Sequence, residues 1–145
     1  MSTQERSQVR PLNALVRDPR GLRMQSKEVE GTPLPGDTAC AGVDDSKAKT
    51  GDIGAKIYGF FAYEHTGAPD RPLNIDTPYK TGAHASIING PGIILVCKTT
   101  TAAAKGQILE AGANGTLTPH TTGTPLAVAE ETVNEAGKIL VRSLI

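Results

Sequence analysis

Tryptophan is absent from this chain, and two phenylalanines and three tyrosines are its only aromatic residues. A core must therefore rest on Ile, Val, Leu and Ala. Cysteine is almost as scarce. Cys40 and Cys97 stand far apart with no histidine at ligand spacing, so no zinc pattern exists. The opening stretch MSTQERSQVRP has no apolar segment of the secretory kind, so the two thiols are expected to stay free. Cys97, inside IILVCK, is expected to act as a small buried hydrophobe. The longest aliphatic run, Ile93 to Val96, is far too short to span a bilayer, and the chain is expected to be soluble and made in the cytoplasm. There is also no net charge, because 15 Lys and Arg balance 15 Asp and Glu. Bulk attraction to nucleic acid or to a membrane is not indicated.

What the chain has is glycine and proline, 16 and 10 in 145 residues. That length suits one domain, or one domain with a tail, and a real core. From Pro91 to Ile145 short β-branched runs alternate with glycine turns: GIILVCK, GQILEAG, GTLTPHTT, PLAVAEE and GKILVRSLI. This spacing predicts a small, tightly turned β module. GIILVCK reads as a central strand with both faces covered, and TTTAAAKG as a connector holding one helical turn. Asn114-Gly115 is the strongest hairpin signal, joining GQILEAGA to TLTPH. PLAVAEE then pairs with KILVRSLI. Upstream, AKIYGFFAY reads as a strand with aromatics on both faces, hence covered on both sides. EHTGAPDRPLNIDTPYKTGAH reads as a long loop, of the kind that is functional or packs on a neighbour. Residues 1–50 have sparse, aperiodic apolar positions and an early cluster of Arg6, Arg10, Arg17, Arg20, Arg23 and Lys27. They predict an extended N-terminal arm and linker, ahead of a β-rich domain at 51–145. The fold class expected is mainly β: a small β-barrel or β-tulip with short hairpins, preceded by the arm.

Little here can do chemistry. His65, His84 and His120 lie in or beside loops without metal spacing, and no catalytic or metal-ligating residue is assigned. Glu130 and Glu131 are neighbours on a strand and point to opposite faces, so they form no carboxylate dyad. Asp44-Asp45 reads as a turn. No serine lies in G-x-S-x-G, and no Walker loop or dinucleotide fingerprint is present. The basic arm lacks interleaved aromatics, and the domain behind it is not basic, which favours a protein partner over nucleic acid.

Two resemblances follow. Leu34-Pro35 with Ala41-Gly42-Val43-Asp44 is similar to the opening motif of the trimeric dUTP pyrophosphatases. The R-S-G phosphate loop, the G-V-I-D-x-D-Y stretch and the glycine-rich C-terminal arm of that family are missing. More of the chain, about residues 79–145, resembles the decoration (cement) proteins of tailed-phage and archaeal-virus capsids. The resemblance is carried by PYKTGAHASIINGPGIILV, by AAAKGQILEAGANGTLTPHTTG and by the closing GTPLAVAEETVNEAGKILVRSLI. It implies a β-rich barrel or tulip that binds the outer face of an assembled, expanded capsid. It further implies the major capsid protein as partner, trimers at local threefold positions, location on the virion exterior, and no catalysis or cofactor. No membrane contact and no direct nucleic-acid contact are expected. Self-association is expected through β edges or the arm. The expected capsid contacts are Val9, Arg10, Leu12, Leu15, Arg17, Arg20, Leu22 and Arg23 of the arm, and Arg71, Leu73, Ile75 and Tyr79 of the long loop. These segments are sprinkled with apolar residues yet cannot form a core alone. A nucleic-acid-binding β-barrel and a dUTP-pyrophosphatase-like enzyme are the alternatives.

Overall fold

Ten short strands carry the fold, in a computed structural model that describes residues 22–62 and 77–145. They are β1 (Arg23–Val29), β2 (Thr38–Ala41), β3 (Lys47–Thr50), β4 (Gly59–Phe61), β5 (His84–Asn89), β6 (Ile94–Thr99), β7 (Ile108–Ala111), β8 (Leu117–Pro119), β9 (Ala127–Ala129) and β10 (Gly137–Ser143). The expected mainly β, barrel-type fold is observed, as two barrels rather than one. The first closes in the order β1-β3-β2-β4-β5, the second in the order β10-β6-β8-β7-β9. Each described strand has a partner on both sides, but two of the ladders are short: β1 opposes β3 only at Glu28 and Val29, and β6 opposes β8 only at Thr99.

The expected boundary at residue 50 does not separate arm from barrel, because β1, β2 and β3 lie before it. These strands depend on distant partners. β1 pairs parallel with β3 (Val29 opposite Ala48) and antiparallel with β5 (Arg23 opposite Asn89). The β2–β3 turn is local chemistry. The Asp44 carboxylate accepts hydrogen bonds from the Ser46 amide (2.9 Å) and hydroxyl (2.5 Å), an Asx turn, which holds the acid below its ordinary pKa. The Ala41-Gly42-Val43-Asp44 quartet therefore lies on a β-hairpin turn with Val43 and Asp44 exposed.

A five-stranded barrel is narrow, and its interior takes small residues. Val29, Ala39, Ala48, Ala85 and Ile87 fill the first with Phe61 and Tyr79. Cys97, Leu109, Leu117, Ala127, Ala129, Ile139 and Val141 fill the second. Strand β4 serves both, as its two aromatic faces predict: Phe61 points into the first barrel, while Phe60 joins the core cluster of the second. Both cysteines are buried free thiols. Burial pushes the Cys97 thiol far above its ordinary pKa.

The second barrel follows the glycine punctuation. β7 and β8 are joined through Asn114-Gly115 with both residues left-handed (φ 55° and 78°), and the Thr116 amide donates to Ala113 O at 3.2 Å. That is the type I′ geometry the dipeptide favours. β9 pairs with β10, Val141 opposite Ala129. TTTAAAKG holds no helical turn. Instead Ala103 makes a β-bridge to Val133, and the Gln107 amide closes a turn on Ala104 O at 2.9 Å. β6 is central in pairing, between β10 and β8, but only one of its faces is covered.

Candidate docking surface

The uncovered face of β6 belongs to a largely apolar wall on the second barrel. Directly opposed residues of antiparallel strands share a face. One row runs Ile94 (β6), Arg142 (β10), Val128 (β9), Ile108 (β7). The next holds Val96 opposite Leu140. Ile94 is 58% exposed and Val96 and Ile108 are each 43% exposed, whereas Leu95, Cys97 and Ile139 turn inward. Arg142 is the charged member of the row. Its Nε donates to Glu130 Oε2 at 3.0 Å, a partly exposed ion pair set among the apolar side chains. Glu131 has a different task, accepting the Leu140 amide at 2.9 Å. The two adjacent acids thus hold separate partners.

The wall continues into the seam between the barrels. Val96 also lines an apolar crevice of about 220 Å³ with Pro35, Gly36, Phe61, Ala62, Ile88 and Leu95. The crevice exists because Gly36 lets the backbones touch: a Cβ there would lie 2.6 Å from Val96 O. A wider groove of about 660 Å³ runs between Gly54–Ile57 and the 122–126 loop. Glu110 shapes that loop. Its carboxylate accepts the amides of Thr121 (2.7 Å) and Gly123 (3.0 Å), which lowers its pKa. His120 Nε2 lies 2.8 Å from Gly123 O. These side chains fold a loop. Among the described residues no group of three His, Cys, Asp or Glu side chains could hold a metal ion.

Of the contacts expected from sequence, Val9, Arg10, Leu12, Leu15, Arg17, Arg20, Arg71, Leu73 and Ile75 lie outside the described residues. Leu22 is half-buried at the entry to β1, and Arg23 is exposed at its first position. Tyr79 is a correction. It is fully buried in the first barrel, its ring centroid 6.3 Å from that of Phe61 and its hydroxyl donating to Ala62 O at 2.6 Å. A phenol whose one polar atom is satisfied can sit in a core, and this one presents no surface to a partner. The apolar wall was missed because IILVCK, read as one apolar run, hides the period-2 alternation that leaves Ile94 and Val96 outside.

The geometry defines a class: a double-barrel, all-β module with an apolar outer wall. No protein-family model matches the chain, and no curated protein matches it. Among solved structures it is similar to the N base of the head fibre gp8.5 of bacteriophage phi29, with a TM-score of 0.54 and 12% identity over 84% of this chain and 93% of that one. At that identity the likeness is one of fold.

Proposed function

We propose that the protein is a non-enzymatic structural part of a phage virion, attached to the outside of the head, where it decorates and braces the assembled shell. The observation that carries this reading is the fold likeness, which takes in nearly the whole of a phage head-fibre base. The sequence resemblance to capsid decoration proteins supports it independently. So does the exposed wall of Ile94, Val96 and Ile108, an apolar cluster of the kind that marks protein contact. In this reading the partner is the major capsid protein. The wall and the 1–23 segment, with the 63–76 segment, make the contacts, and the copies associate as a homotrimer. A protein that binds the assembled lattice better than free subunits stabilises assembly by mass action, and many copies let modest affinity per site suffice.

The test is co-sedimentation of the purified chain with expanded and unexpanded heads of its source phage, with and without residues 1–21. The expected result is uptake by expanded heads that weakens on truncation. Absence from both pellets would remove the proposal and move attention to dUTP turnover and salt-dependent DNA binding.

A further inference from the structure

Asp37 is an acid placed where the two barrels meet. It precedes β2 and is only 7% exposed. Its Oδ2 accepts the Leu34 amide at 2.9 Å, and Thr50 of β3 hydrogen-bonds to the same carboxylate. The Asn114-Gly115 turn of the second barrel presses on it from the other side. A Cβ on Gly115 would lie 2.7 Å from Asp37 Cγ and 2.6 Å from Thr50 Cγ2. The Gly115 amide crosses the seam to Gly51 O at 2.8 Å. The titratable groups that face Asp37 both come from β6: the ammonium of Lys98 and the buried thiol of Cys97. The turn, Ala113 to Thr116, brings no titratable side chain. Burial outweighs the Leu34 amide, Lys98 and Thr50, and the carboxyl is pushed up to about 6.

We propose that Asp37 is a pH-sensitive latch on the seam: as a neutral acid it lets the Asn114-Gly115 turn seat against β2 and β3, and as a carboxylate it favours opening of that turn to water. The direction follows from linkage. Below about 3.8, the ordinary value, the group is neutral whether the seam is open or closed, and it biases neither state. Between 3.8 and about 6 the open state ionises first, so rising pH draws the equilibrium toward opening. Above about 6 the bias is complete, roughly a hundredfold for two pH units.

The experiment is amide hydrogen exchange of the full chain by NMR from about pH 4 to about pH 8, each rate divided by the intrinsic rate. Protection of the Gly115 amide is expected to fall roughly a hundredfold across this range and to become flat in Asp37→Asn. The Gly106 amide, bonded to Ala129 O from the exposed turn before β7, is expected to stay flat in both. A flat wild-type profile for Gly115, the same slope in Asp37→Asn, or a parallel fall at Gly106 would each overturn the latch. The 13C shift of the Asp37 carboxyl gives a reading that needs no variant: a midpoint near 6 is expected, and one near the ordinary value for aspartate refutes it.

Discussion

The hydroxyl of Thr38 is fully buried without a hydrogen-bond partner, close to the backbone of Gly51. A buried hydroxyl left unpaired costs about 1–3 kcal/mol. Replacing it by a methyl group of nearly the same shape removes that cost, so Thr38→Val is expected to raise stability by about 1 kcal/mol in urea unfolding. A fall in the midpoint would mean that the hydroxyl has a partner after all. Gly115 works in the opposite direction. Its φ of 78° disfavours any β-branched residue, and a Cβ would enter the space of Asp37 and Thr50. Backbone strain of about 1–2 kcal/mol adds to overpacking of similar size. Gly115→Val should therefore cost about 3 kcal/mol, more than a free hairpin turn would lose. A loss near 1 kcal/mol in the same unfolding experiment would mean that the turn does not press on the first barrel.

Strand β4 is three residues long and ties the two cores together. Phe60 reaches the cluster of Leu109, Leu117 and Ile139, and Phe61 the cluster of Val29 and Ile87. Phe60→Ala is expected to cost about 3–5 kcal/mol, and its melt should split into two transitions because the shared aromatic is gone. A single sharp transition would show that other contacts hold the barrels as one cooperative unit. This strand was legible in GFF, with aromatics on alternate faces, and so were β6 to β10, where Gly106, Gly115 and Gly137 mark the turns and the runs between them are apolar. The strands before residue 50 were not. TACA and KAKT carry no apolar period of their own, and their place is fixed by β1 pairing in parallel with β3 and by β4 pairing with β2. Tyr79 was hidden for the same reason: nothing in TPYKTG shows that Ala62 will supply a carbonyl to its hydroxyl. The docking wall was half legible. Its residues stand in plain view as strand residues, but which of them turn outward depends on pairing register.

As a whole molecule the protein joins an apolar wall on one barrel to a second barrel through a glycine-lined seam. If the wall seats on a phage head, the double variant Ile94→Lys, Ile108→Lys should weaken co-sedimentation with expanded heads at least tenfold. Stability should change by only about 0.5 kcal/mol, the usual range for exposed positions. Undiminished binding would assign docking to the segments outside the barrels. The closed ladders carry a further consequence. A strand with an unpaired side is a template on which a neighbouring chain can extend a sheet, the step by which crowded β proteins turn into fibres. Here every described strand has a partner on each side, and only Arg23–Lys27 of β1 and Ile94–Lys98 of β6 run beyond one of theirs. A copy crowded beside another would meet side chains over most of both barrels, and backbone only where those two stretches outrun their partners.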